Sequence, residues 1–180
     1  MSILKIVLYP DTPLREEAAP YGEDEFGPKL EKLANDMLET MHQNDGVGLA
    51  GPQVGLARRI FVLQEPEGDP MALVNPEIYA REGSQSAEEG CLSLPEIFGP
   101  VSRATWVRAR ARTPMGDSLD IEAEGLLARI IQHENDHLSG ICFIERLDVF
   151  TRQEKLEEWD VVRDEILSGR TRETGRRHAR

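Results

Sequence analysis

Hydrophobic residues in this chain change their period twice, and that switch limits the possible folds more tightly than any single motif. Leu30, Leu33, Ala34, Met37, Leu38 and Met41 recur at steps of three and four, which gathers them on one helical face opposite Glu31, Lys32, Asp36 and Glu39. The turn-forming stretch Asn44 to Gly46 should end that helix. Arg59 to Leu63, Ala72 to Val74 and Val101 to Ala111 then read as strands, β-branched or alternating and separated by turns such as Pro66 to Pro70. From Gly125 to Leu138 the helical period returns, with Leu126, Ile130, His133 and His137 on one face. A short strand at Ile141 to Ile144 and a charged helix from Phe150 to Leu167 should follow. Strands in the middle with helices before, against and after them predict an α+β fold. Its antiparallel or mixed sheets would pack around the central helix of His133 to His137, with further helices near each terminus.

A length of 180 residues suits one domain, placed at residues 1–168, followed by a basic tail at 169–180. From Arg170 to Arg180 five arginines face a single acid, Glu173. Such a stretch is either a frayed end or an anchor for an anionic partner such as ribosomal RNA. The net charge of −12 argues against a DNA-binding surface, which needs a positive field. No apolar run approaches the roughly 18 residues of a membrane span. Met1 to Tyr9 holds too short an apolar stretch for a secretory signal, so the expected location is the cytoplasm. Cys91 and Cys142 are too few for a disulfide framework and suit a metal ligand plus a buried thiol.

The chemistry concentrates at His133-Glu134-Asn135-Asp136-His137. Residues four apart on a helix lie one turn apart on the same face, so two imidazoles can reach one ion. Glu134, beside the first of them, can approach a water on that ion without ligating it. The same spacing also suits two core histidines bonded to backbone. Asp136 is open between supporting a ligand and capping the helix. An open catalytic site needs a third protein ligand. Phe143 occupies one downstream position where a histidine would be required, and Glu157 and Glu158 lie in a charged, solvated-looking helix. Cys91 is the better candidate, because Gly90 lets the backbone come close and a cation deprotonates an adjacent thiol. Cys142, in an apolar run, reads as a structural thiol. Gly46 to Gln53 is either a tight turn or a loop that brings backbone groups and one amide to a substrate carbonyl. A structural zinc module closed by Cys91, Cys142, His133 and His137, and a zinc endopeptidase, are the competing readings.

Taken together, Gly46 to Gln53, Glu89 to Ser93 and His133 to His137 resemble the three signature motifs of peptide deformylases, GxGLAAxQ, EGCLS and HExDH, in the family's order. The opening from Val7 to Arg15 is similar too, and the likeness runs from about Ile3 to Leu147. Gly51 stands where the family usually has Ala, Pro52 fills a variable position, and Arg129 sits one turn before His133 on a helix that lines the family's pocket. The resemblance implies removal of the N-formyl group from the initiator methionine of nascent polypeptides, with release of formate. It implies Cys91, His133 and His137 as ligands of one divalent metal, Fe(II) in the cell and Zn, Ni or Co in purified protein. A water activated by the metal would attack the formyl carbonyl, with Glu134 as general acid and base. Gln53 and the backbone N–H of Leu92 would hold the oxyanion, while Val47, Gly48 and Gly90 would pair with an extended peptide. Its partners would be formyl-methionyl nascent chains and the ribosome, the latter through the C-terminal helix or basic tail.

Overall fold

The computed structural model describes residues 2–169, and the arginine-rich stretch expected as a tail lies outside them from residue 170 on. Pro28 opens helix α1 (Pro28–Gln43), a position where its missing N–H has no helical partner to lose. The helix buries Leu30, Ala34, Met37 and Met41 and ends where Asn44 turns its backbone N–H onto the Met41 and His42 carbonyls. Then come β1 (Gly48–Ala50), β2 (Ile60–Leu63), β3 (Met71–Glu82), β4 (Gln85–Cys91), β5 (Leu94–Arg103), β6 (Trp106–Arg112) and β7 (Ser118–Glu124). Helix α2 (Gly125–His137) and helix α3 (Val149–Leu167) complete the order.

The strands form two antiparallel sheets, one of five strands in the order β1-β2-β3-β6-β7 and one of two, the β4-β5 hairpin. Strand β2 is buried along its whole length, and its alternation explains why. Phe61 and Leu63 face the α2 side with Ala128, Ile131 and Leu138, whereas Ile60 and Val62 face α1 with Met37 and Met41. A third cluster joins the hairpin to the C-terminal part of the chain through Leu94, Ile97, Val101, Phe143, Ile144 and Trp159. There the Trp159 indole N–H donates to the Tyr9 carbonyl at 3.0 Å, tying α3 to the N-terminal segment. Helix α2 therefore lies between the large sheet and the hairpin.

Two local expectations are corrected. The run from Val101 to Ala111 is two strands of different sheets, interrupted at Ala104 and Thr105. The Gln132 side chain takes both backbone groups of Ala104 there, accepting from its N–H at 3.1 Å and donating to its carbonyl at 2.9 Å. Ile141 to Ile144 is not a strand. The Glu145 carboxylate reaches back to the Cys142 N–H at 2.9 Å and fixes a 3-10 turn over Phe143–Arg146. Strands β4 and β7 were not foreseen, and the loop read at Gly46 to Gln53 contains β1 and a short 3-10 turn, Gly51–Val54.

Candidate metal centre

Helix α2 presents His133 and His137 one turn apart toward the hairpin, and Cys91 ends β4 where that hairpin reverses. Cys91 Sγ lies 3.3 Å from His137 Nε2. The donor atoms of Cys91, His133 and His137 all fall within 4.8 Å of one another, the metal-compatible cluster among the described residues. A tetrahedral ion with bonds of about 2.3 Å to sulfur and about 2.0 Å to nitrogen separates the two donors by about 3.5 Å, so the observed pair fits one cation. The borderline character of two imidazoles and a thiolate agrees with that fit. Cys142 does not belong to the set. Its sulfur sits 3.8 Å from Nδ1 of His137, the ring nitrogen turned away from Cys91, so one ion cannot take both sulfurs. Glu157 and Glu158 are likewise elsewhere, bonded to Gln153 and Lys155 on α3.

Behind the three converging donors stands a buried charge network. The Nδ1 of His133 is 2.9 Å from Oε2 of Glu89, which fixes the ring with Nε2 toward the cluster. Arg103 forks onto both oxygens of Glu89 at 2.9 Å and gives its remaining nitrogen to Asp136 at 2.6 Å. Arg146 grips Asp136 from the other side at 2.6 and 3.0 Å. Asp136 thus supports α2 against the hairpin and does not cap the helix. Arg129 lines the neighbouring cavity and donates to Glu89 and to the carbonyls of Val101 and Gln85. Burial alone would raise the Glu89 carboxyl, but its bonds from Arg103 and His133 prevail and hold it far below the usual carboxylate range.

Glu134 is in a different situation. Its carboxylate is buried, one oxygen has no hydrogen-bond partner, and burial raises its pKa to about 7 despite the opposing charges of His133 and Arg103. Gly48 of β1 lies directly against it, and a Cβ there would collide with Glu134 Oε1. Gln53 is buried nearby; its amide oxygen accepts from the Ala50 N–H at 2.7 Å, which aims its Nε2 at Cys91 Sγ, 3.3 Å away. Cys91, His133, Glu134 and Gln53 border a cavity of about 680 Å³, with Leu92, Phe98, Leu126 and Ile130 among its apolar walls. Val47, Gly48 and Gly90 line it too. The Val47 carbonyl is already taken by the Gln64 N–H at 2.9 Å. Successive residues of an antiparallel strand point their backbone groups to opposite sides, so those of Gly48 face out from the free edge of β1.

A family model described as polypeptide deformylase matches residues 3–153. The chain belongs to the peptide deformylase family. It is accordingly a metal-dependent hydrolase that removes the N-formyl group from nascent polypeptides. The peptide deformylase of Nitrosococcus oceani is 44% identical over 155 residues, covering 85% of this chain and 92% of that one. That of Clostridium botulinum is 47% identical over 146 residues, covering 81% and 97%. Among solved structures, the peptide deformylase of Legionella pneumophila superposes with a TM-score of 0.86 at 37% identity, over 95% of this chain and all of that one. The Thermus thermophilus deformylase gives 0.82 at 41% identity, over 92% and 96%.

Every residue named from the sequence as ligand, acid/base or peptide contact borders this one cavity or its ligand cluster. Sequence reasoning missed Glu89 as the partner of His133, although it lies two residues before Cys91 on a strand, where period two places both on one face. It also missed Arg103, whose partners are 14 and 33 residues away in sequence.

Proposed function

We propose that Cys91, His133 and His137 hold one divalent cation and that Glu134 moves the protons of formyl-amide hydrolysis beside it. One observation carries this reading: three donor atoms converge next to a buried carboxylate that has an unpartnered oxygen. When bound, the cation acts as a Lewis acid and makes water acidic enough to serve as a nucleophile near neutral pH. Glu134 takes the proton of the attacking water and returns it to the leaving amine, a task worth roughly 10²–10⁴-fold in rate. Burial raises the Glu134 carboxyl, which favours its holding the proton between the two transfers. Gln53 Nε2 and the Leu92 N–H donate to the oxyanion that develops on the formyl oxygen, each at roughly 3–4 kcal/mol in comparable sites.

The peptide adds as a strand along the outer edge of β1, with Gly48 and Gly90 supplying backbone contacts and Val47 its exposed side chain. The apolar walls at Leu126 and Ile130 receive the methionine side chain. A formyl carbon carries only hydrogen, so a site crowded by Gly48, Glu134 and Gln53 admits it and excludes longer acyl groups. Two imidazoles and a thiolate suit Fe(II), Zn, Ni or Co, and Fe(II) is our assignment for the cell. Activity would then be sensitive to oxygen, since iron and thiolate both oxidise. The partners are formyl-methionyl nascent chains, with the ribosome as the docking platform, and the location is the cytoplasm. No helix among the described residues is long and apolar enough to cross a membrane.

The test is formate release from formyl-Met-Ala-Ser under anaerobic conditions, with metal content measured in parallel. Glu134→Ala should keep one equivalent of metal while turnover falls at least about a hundredfold. Near-wild-type turnover in that variant would remove the role given to Glu134.

A further inference from the structure

The two imidazoles of the site are backed by different chemistry. His133 has a carboxylate behind it, that of Glu89, which is itself held by Arg103 and Arg129. The Nδ1 of His137 faces the sulfur of Cys142 at 3.8 Å, and no other hydrogen-bond partner of that nitrogen occurs among the described residues. Both His137 and Cys142 are fully buried, so bulk solvent does not reach the contact.

The segment carrying Cys142 is built to stay in place. Its backbone N–H is held by Glu145 at 2.9 Å, at the start of the 3-10 turn. The next residue, Phe143, stacks on the His133 ring with centroids 6.3 Å apart and planes 20° from parallel. Consecutive side chains therefore buttress the two metal-facing imidazoles, one by hydrogen bond and one by ring contact.

We propose that Cys142 is a positioning residue of the metal site: its sulfur accepts the Nδ1–H of His137, fixes the tautomer that turns Nε2 toward the cation, and leaves His137 the weaker donor of the two histidines. The proposal rests on the metal reading given above. With Nε2 directed at the cluster, 3.3 Å from Cys91 Sγ, the ring proton must sit on Nδ1, which makes Cys142 the acceptor. Cys142 is fully buried in an apolar cluster with Leu94, Phe143 and Trp159, and sulfur is a diffuse, weak hydrogen-bond acceptor. A carboxylate behind an imidazole raises the basicity of the opposite nitrogen, and a weakly accepting sulfur does so far less. The residue thereby sets an inequality between ligands that the sequence spacing of the two histidines does not contain.

The experiment compares wild type with Cys142→Val, which replaces the sulfur by apolar volume, and Cys142→Ser, which retains an acceptor. Zinc affinity is read by chelator competition, the ligand field by the visible spectrum of the cobalt(II)-loaded protein, and packing by melting of the metal-free chain. Cys142→Val should bind zinc about tenfold or more weakly and shift the cobalt bands, while Cys142→Ser stays nearer wild type. Wild-type zinc affinity and an unchanged cobalt spectrum in Cys142→Val would overturn the proposal. Where Cys142→Val fails to fold, ¹⁵N NMR of histidine in the zinc-loaded wild type decides. The Nδ1 proton of His137 should resonate clearly upfield of the carboxylate-bonded Nδ1 proton of His133, and coincident resonances would overturn it. A wild type that binds neither zinc nor cobalt would instead strike the metal reading itself.

Discussion

Arg103→Leu is the perturbation whose consequences the structure specifies most fully. Arg103 donates Nε and Nη2 to Glu89 at 2.9 Å and Nη1 to Asp136 at 2.6 Å, and the side chains of Arg103 and Glu89 are each only 5% exposed. Removing one partner of a buried ion pair typically costs about 3–5 kcal/mol, because a charge is left without compensation. Here each carboxylate keeps a second cation, Arg129 for Glu89 and Arg146 for Asp136. That places the loss at the lower end, about 3 kcal/mol. For a chain of this size it corresponds to a fall in Tm of about 6–12 °C. Urea unfolding of the metal-free protein measures it. A second loss should accompany the first, since Glu89 orients His133 and a slackened carboxylate weakens the ligand; zinc affinity should drop about 10–100-fold. Arg103→Lys keeps the charge but has no planar fork to span both carboxylates, so it should fall between wild type and Arg103→Leu. If Arg103→Leu costs less than about 1 kcal/mol, as a typical exposed pair does, and leaves zinc affinity unchanged, the network supports neither the fold nor the ligands.

Two further substitutions separate ligand from scaffold. Cys91→Ala should lose both tight metal and formate release while keeping the circular dichroism of the metal-free wild type; one tightly held equivalent would show that Cys91 is not a ligand. Gly48→Ala should retain metal, lose about 1–3 kcal/mol of stability from the forced contact and lose at least about tenfold in turnover, because the new methyl displaces Glu134. Unchanged kinetics in Gly48→Ala would mean that the position of the Glu134 carboxylate is not critical.

Much of this architecture was legible in the sequence, for reasons that differ by element. Helices α1 and α2 announce themselves because each buries one face, and the 3.6-residue period survives in the order of apolar residues. Strand β4 does not, because Gln85-Ser86-Ala87-Glu88-Glu89 is polar and mostly exposed, and it is held by pairing with β5 and not by a buried stripe. The adjacency of β3 and β6 is also hidden. A whole hairpin intervenes between them in sequence, and no local pattern records that it folds out of the large sheet. Ile141 to Ile144 misled because its apolar run is equally consistent with a buried turn, and the deciding contact is one carboxylate three residues along.

The site was legible where a motif keeps its residues close and illegible where charges meet across the fold, and the geometry explains that division. The three donors and the charges of Glu89, Arg103 and Asp136 behind them lie on one interface between β4-β5 and α2. Along β4 a two-residue step carries Glu89 and Cys91 to the helix together; along α2 steps of three and four carry His133, Asp136 and His137 to the hairpin. Cys91 then meets His137 and Glu89 meets His133. Arg103, on the returning strand, closes the layer by bridging Glu89 to Asp136. A slip of one residue in the hairpin would exchange the faces of β4 and remove both the thiol and the orienting carboxylate at once. Metal affinity in this protein should therefore depend on hairpin register as much as on the three ligands themselves.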